Sequence, residues 1–333
     1  MKGYSYLATH PNEQKPSIPY KIGKTFQAQI YHPPRPPSYF YKTASGDVED
    51  GIRQLHPVQL CLRHPPAPGK AGNEELQLRV IHQIRVGDHT SSQIVVAQPS
   101  VPQGNVVLSA IFARPTNVVA KIYDPLYYDF DEYHPDPFAN CDTAFAHETL
   151  AYKYLLPISG MAVPYFYGSY CISVPLSKDA TKTRNVMAVL YEYIHGIPLQ
   201  DIAVRDYTQQ QRQAIMRAVI KADNRMWQLD VNNLDLHPRN VIVVSAEEGE
   251  EARIRIIDFD HCQCGTRTES GDLERPTLEP LPREQVLTRW LNNDLERSRI
   301  DFDWLVDWPW DEWLKEYASN TPRTIPYGIS LLE

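Results

Sequence analysis

Asp235-Leu236-His237-Pro238-Arg239-Asn240, then Val241-Ile242-Val243-Val244, then Ile254-Arg255-Ile256-Ile257-Asp258-Phe259-Asp260 is the stretch that decides the fold. It reads as a polar loop, a strand, an acidic turn over Ser245 to Glu251, and a second strand ending on a carboxylate. Two apolar runs flanking such a turn pair as a hairpin. That pairing brings the ends that carry Asn240 and Asp258 side by side. Two oxygen ligands with Asp235 close by suit a hard cation such as Mg²⁺ bridging phosphate oxygens.

Asp-x-x-x-x-Asn, a hairpin and Ile-Asp-Phe resemble the catalytic and metal-binding loops of the protein-kinase-like superfamily. The form Asp-Leu-His-Pro-x-Asn, with Asp-Phe-Asp in place of Asp-Phe-Gly, is closer to the aminoglycoside and choline phosphotransferase branch. It is also similar to many fungal kinase-like proteins. The resemblance implies an α+β, two-lobed fold with a β-rich N-lobe and a shortened helical C-lobe. It further implies ATP and Mg²⁺, with Asp235 as catalytic base and Asn240 and Asp258 as metal ligands. One departure stands just upstream. Kinases commonly place His two residues before the catalytic Asp, and this chain has Asn233. An amide can also hydrogen-bond the backbone there.

Upstream, Asn117-Val118-Val119-Ala120-Lys121-Ile122-Tyr123 puts a lysine inside an apolar strand. A buried ammonium needs a partner. A helix over Thr143 to Leu155 offers one: Glu148 lies on or beside its apolar stripe of Ala144, Phe145, Ala151 and Leu155. Lys121–Glu148 is therefore expected as an ion pair of the kinase type, set against a lysine snorkelling at a strand edge. Alternation over Leu76 to Ile81 and over part of Gln93 to Ala97 predicts two strands. Between them, Val86-Gly87-Asp88-His89-Thr90-Ser91-Ser92 holds the place of a phosphate-covering loop, though with one glycine; a simple hairpin is the other reading. Val186 to Ile194 predicts a buried strand that ends at a hinge. There the resemblance assigns the backbone of Glu192 to Ile194 to an adenine edge. Thr208 to Asp230 has Ile215, Met216, Val219, Met226 and Trp227 at helical spacing, a core-facing helix.

The ends are less regular. Val58 to Leu62 predicts a short strand. Tyr31-His32-Pro33-Pro34-Arg35-Pro36-Pro37 predicts extended backbone. It is either a docking motif for a proline-recognising protein partner or a leader packed on the first lobe. The connection from Asp124 to Asp142 is long enough for a lid or for decoration. The resulting division is a Pro-rich extension over 1–75, an N-lobe over 76–194 and a shortened C-lobe over 195–333. Only 333 − 260 = 73 residues follow Asp260. No Ala-Pro-Glu anchor is visible, and Leu278-Glu279-Pro280 is a poor substitute. Gln285 to Arg297 predicts a helix. Trp304, Trp308, Trp310 and Trp313 stand among acids, as core or as a pocket for a cationic amine. The short second lobe favours a small-molecule acceptor over a protein.

Composition narrows the classes. The 333 residues suit two lobes, and 42% apolar content suits a buried core. A net charge of −8 gives no bulk attraction to nucleic acid or an anionic membrane. No apolar run approaches the ~18 residues of a membrane-crossing helix, and the start lacks the apolar core of a signal peptide. Five scattered cysteines fit a reducing, cytoplasmic compartment. Cys262-Gln263-Cys264 has no second pair at zinc spacing. An ATP-dependent phosphotransferase acting on a small hydroxyl or amine is the first expectation. A pseudokinase scaffold and a kinase fold turned to another group transfer are the alternatives.

Overall fold

The computed structural model describes residues 16–36, 57–112, 117–128, 137–175, 183–265, 289–291 and 299–320. The chain divides into two compact units, Met1–Lys153 with Tyr165–Tyr193, and Tyr154–Pro164 with Ile194–Glu333. The α+β class expected from the sequence is the class observed, with the strands concentrated in the first unit.

In the first unit six strands close a barrel in the order β1-β2-β3-β4-β6-β5. They are β1 (Thr25–His32), β2 (Lys70–Arg85), β3 (Gln93–Ser100), β4 (Val118–Tyr123), β5 (Phe166–Pro175) and β6 (Thr183–Glu192). Closure depends on β1, which pairs with β2 on one side and with β5 on the other. Val118, Ala120 and Ile122 of β4 join the barrel core with Leu78, Val95, Ile172 and Leu190. By the two-residue period of a strand, Val119, Lys121 and Tyr123 face the other way. Helix α1 (Pro57–Arg63), helix α2 (Val106–Ile111) and helix α3 (Pro137–Tyr154) complete this unit's described elements.

Several expectations change here. Val58 to Leu62 lies in α1, not in a strand. Pro57 at the first helical position and the good helix formers Gln59, Leu60, Leu62 and Arg63 outweigh a short apolar run that has no clear period. The strand expected at Leu76 begins at Lys70. The segment assigned to an extension supplies β1, whose Phe26 and Ala28 are buried between exposed Thr25 and Gln27. Tyr31 and His32 of the proline-rich run belong to that strand, and Pro37 lies outside the described residues. Of the long connection, Asp124 is buried and accepts bonds from Arg184 Nη1 at 2.5 Å and Tyr20 Oη at 2.6 Å. Residues 129–136 of that connection lie outside the description.

The second unit holds the helix α4 (Gln209–Gln228), the sheet β10-β9-β7 and the pair β11-β8. Its strands are β7 (Ile197–Pro198), β8 (Val231–Asn233), β9 (Val241–Ser245), β10 (Arg253–Ile256) and β11 (Cys262–Cys264). Thr208 caps α4 through a box in which its side chain accepts from Gln211 N–H, and the Gln211 side chain accepts from Thr208 N–H. Ile215, Met216, Val219 and Met226 form the buried face, as their spacing predicts. Gly196 lets β7 approach β9, since a Cβ there would stand 2.5 Å from Val243 O.

The tryptophans pack as core. Helix α5 (Trp310–Asn320) buries Trp310, whose indole N–H donates to Trp290 O at 3.1 Å. Arg212 stacks over Trp308, Arg217 over Trp313 and Arg299 over Trp310. Three of the protein's own guanidiniums thus stand over indoles, where the alternative reading of a pocket would put a cationic amine. Trp304 is the exposed exception at 41%. Of the helix expected over Gln285 to Arg297, only 289–291 are described, and Leu278-Glu279-Pro280 lies outside.

Candidate active-site residues

In the first unit, Lys121 projects from the outer face of β4, where α3 lies. Its Nζ stands 2.9 Å from Glu148 Oε2, with the two side chains 1% and 0% exposed. Tyr123 Oη, two residues along the same face, donates to the same Glu148 oxygen. The Lys121 ammonium also lies over the Tyr123 ring, 5.4 Å from its centre. Residues 145–149 and 151–152 of α3 are all buried, so Glu148 sits deeper than on a stripe edge. A charge desolvated this fully is tolerated because a formal partner meets it.

Gly87 lies in the loop between β2 and β3. Its N–H donates to Gln93 Oε1 at 2.9 Å and its carbonyl accepts from Gln93 Nε2 at 2.6 Å. Gln93 Nε2 also reaches Thr90 Oγ1 at 2.7 Å. These bonds close the loop that joins the β2–β3 hairpin. Glu192 ends β6, donates its N–H to Tyr165 O at 2.8 Å, and accepts Tyr165 N–H on Oε2 at 3.1 Å. Tyr193 N–H reaches Asn117 O at 3.4 Å. Ile194 opens the longer segment of the second unit.

In the second unit the expected hairpin is present, with Ile256 opposite Val241 and Ile254 opposite Val243. One bond beyond the ladder, Ile257 N–H donates to Asn240 O at 2.9 Å. The register therefore sets Asn240 beside Asp258. Asn240 is buried, and its Nδ2 donates to Asp235 O at 2.9 Å and Asp235 Oδ2 at 3.0 Å. Both neighbours are oxygens, so the amide nitrogen must face them and Oδ1 turns the other way. Asp258 has φ of 68°, the left-handed region that asparagine and aspartate enter more readily than other side chains. Hard oxygen donors of this kind fit Mg²⁺.

The loop is locked locally. His237 Nδ1 accepts Arg239 N–H at 3.2 Å and Asn240 N–H returns to His237 O at 2.8 Å, with Pro238 opening the turn. Asn233 answers the question its identity raised. Fully buried, it accepts Asp235 N–H on Oδ1 at 2.9 Å, so the amide props the loop. Pairing of β8 with β11 holds Asn233 opposite Cys262. Motif reading had no signal for Arg239. Its Nη2 meets both Asp235 oxygens, at 2.5 and 2.7 Å, four residues apart in sequence. Also unforeseen is Asp223, buried on α4, which accepts from Arg289 at 3.1 Å and Trp290 Nε1 at 3.1 Å.

Among known proteins, one family model overlaps this region. The family described as lipopolysaccharide kinase (Kdo/WaaP) matches residues 187–299, about one third of the 333-residue chain. No curated protein matches the sequence. The kinase domain of PknI from Mycobacterium tuberculosis is a similar solved structure, with 16% identity and a TM-score of 0.34 over 55% of this chain and 60% of that one. A cysteine-to-alanine mutant of the same domain gives 14% identity with the same coverage and score. The chain thus spans about three fifths of the length of the structures it matches. The matched family segment contains Asp235, Asn240 and Asp258.

Proposed function

We propose that this chain is a phosphotransferase of kinase-like fold that moves a phosphoryl group from ATP to a hydroxyl or amine of a small molecule. The observation that carries the reading is the fastening of Asn240, whose side chain holds Asp235 while its carbonyl holds the residue before Asp258. In this reading Lys121, kept charged and straight by Glu148, pairs with nucleotide phosphates. Asn240 Oδ1 and the Asp258 carboxylate hold Mg²⁺, which neutralises phosphate charge when bound. Asp235 accepts the proton of the acceptor. Glu192 and Ile194 border the nucleotide base in the same reading, and the loop at Gly87 covers the phosphates. The similarity to the lipopolysaccharide kinase family supports sugar hydroxyls as acceptors to try first. Five scattered cysteines fit a cytoplasmic setting.

Titration of MgATP by calorimetry tests the nucleotide half. Binding between about 1 µM and 1 mM, lost in Lys121→Met and in Asp258→Asn, is expected. Asp235→Asn should keep that binding and lower turnover at least ~100-fold. Binding unaffected in both nucleotide-site variants overturns the reading. A second reading, a nucleotide-binding scaffold without turnover, draws on Arg239, which occupies both oxygens of the base. MgATP binding without phosphorylated product from any sugar, alcohol or amine supports it. A product heavier by a nucleotide instead of a phosphate points to the third, another group transfer.

A further inference from the structure

Away from these residues, the second unit contains a cavity of about 160 Å³ between one face of α4 and strand β10. The helix contributes Ala218, Lys221, Ala222 and Arg225, the i, i+3, i+4, i+7 set of a single face. The strand and the turn before it contribute Glu251, Ala252 and Arg253. Four alanines, Ala162, Ala218, Ala222 and Ala252, make the floor, and their small side chains leave the room that leucines would fill. The rim carries three cations against one carboxylate, in a chain whose net charge is −8. Lys221 and Arg225 are like charges one helical turn apart, an arrangement that costs stability without an anion between them. The guanidinium Nε of Arg225 is buried and has no hydrogen-bond acceptor among the described residues. Buried donors of this kind normally find one.

The walls are fixed. Arg255 donates to Met161 O at 2.6 Å, and Ile256 N–H to Ala162 O at 2.8 Å, which pins the segment beside β10. Arg253 Nε is held by Ser245 Oγ at 2.8 Å. The counter-charge is the loose part. Glu251 meets Lys221 as a surface pair with side chains 69% and 37% exposed. Exposed pairs hold weakly, so a stronger anion displaces such a carboxylate.

We propose that this cavity binds the phosphate group of a small organic phosphate, with Arg225 and Arg253 as donors, Lys221 released from Glu251, and the alanine floor against the organic body. Two guanidiniums match phosphate oxygens in geometry as well as charge. The site is separate from Asp235, Asn240 and Asp258 and stands whether or not the chain transfers phosphate.

The test uses the full chain and phenyl phosphate as probe, read by phosphorus NMR line broadening, with inorganic phosphate and benzyl alcohol alongside. Phenyl phosphate should bind more tightly than inorganic phosphate, and benzyl alcohol should not compete. Arg225→Gln and Arg253→Gln should each weaken binding about tenfold. Glu251→Gln should tighten it about threefold, because it frees Lys221. A variant that merely disturbed the fold would not tighten anything. Absent binding, binding indifferent to Arg225→Gln and Arg253→Gln, or weaker binding in Glu251→Gln overturns the proposal.

Discussion

Glu148 and Asn233 each hold a candidate site residue, Lys121 and Asp235, and single-residue changes at them divide the chemistry from the fold. Glu148 is fully buried and takes both Lys121 and Tyr123 on one oxygen. Glu148→Leu removes the carboxylate that Lys121 faces and should cost about 3 kcal/mol in denaturant unfolding. Adding Lys121→Met should restore a large part of that loss, since an apolar pair of similar volume replaces a buried ion pair at little net cost. A double variant as unstable as the sum of the singles would show that the two side chains are not coupled. Asn233→Ala strips the acceptor from Asp235 N–H and should lower stability by about 1 kcal/mol while lowering turnover more than MgATP affinity. Equal loss of both would mean that Asn233 supports the whole unit and not the loop alone. At this scale the sequence makes legible which side chains meet. The spacing of Asp235, Asn240 and Asp258 gives their placement beside the β9–β10 hairpin, and the contrast of Lys121 with an apolar strand gives its ion pair. Arg239 was missed because an exposed arginine has no pattern of its own. Only the turn at Pro238 brings it back to Asp235, four residues earlier.

Elements with a strong period were legible, and elements decided by tertiary contact were not. The β9–β10 hairpin, β4 and α4 follow directly from alternation or helical spacing. Strand β1 also alternates, Phe26 and Ala28 inward, yet its place in the barrel comes from pairing with the distant β5, at registers such as Ala28 with Ile172. Nothing local announces such a partner. Helix α1 reads as a strand in the sequence because the five residues Val58 to Leu62 are too few to show a period. Two substitutions examine the elements that carry the loop. Thr208→Ala removes the capping box of α4 and should cost about 1 kcal/mol. Gly196→Ala forces a methyl group against the backbone of β9 and should cost about 2 kcal/mol, with the β7–β9 pairing lost first in hydrogen exchange. A Gly196→Ala protein with wild-type protection in β9 would contradict the close approach.

For the molecule as a whole, burial of phenols and thiols sets the alkaline limit. Burial pushes Cys171 from its ordinary 9.0 up to about 11. Burial likewise raises Tyr170 and Cys264 still further, and raises Tyr20 with Asp124 as the next cause. A raised value means that the folded chain keeps a proton the unfolded chain has already released. The stability these groups allow is complete below about pH 9, the ordinary thiol value, and is lost as pH climbs through the folded values. The melting temperature should therefore be level from about pH 7 to 8.5 and fall steadily above about pH 9. A flat profile up to about pH 10.5 would mean that these side chains are open to solvent.

The placing of the indoles has a spectroscopic consequence. All six tryptophans, at 227, 290, 304, 308, 310 and 313, lie in the second unit, while the barrel carries tyrosine and phenylalanine in its core. Light absorbed at the red edge of the aromatic band, where indole alone absorbs, is therefore emitted from one half of the polypeptide. An unfolding curve recorded in that channel is blind to the barrel, whereas the peptide circular dichroism sees both. Superimposed curves would show a single cooperative transition, and separated ones would show that the half bearing Lys121 and the half bearing Asp235 melt independently.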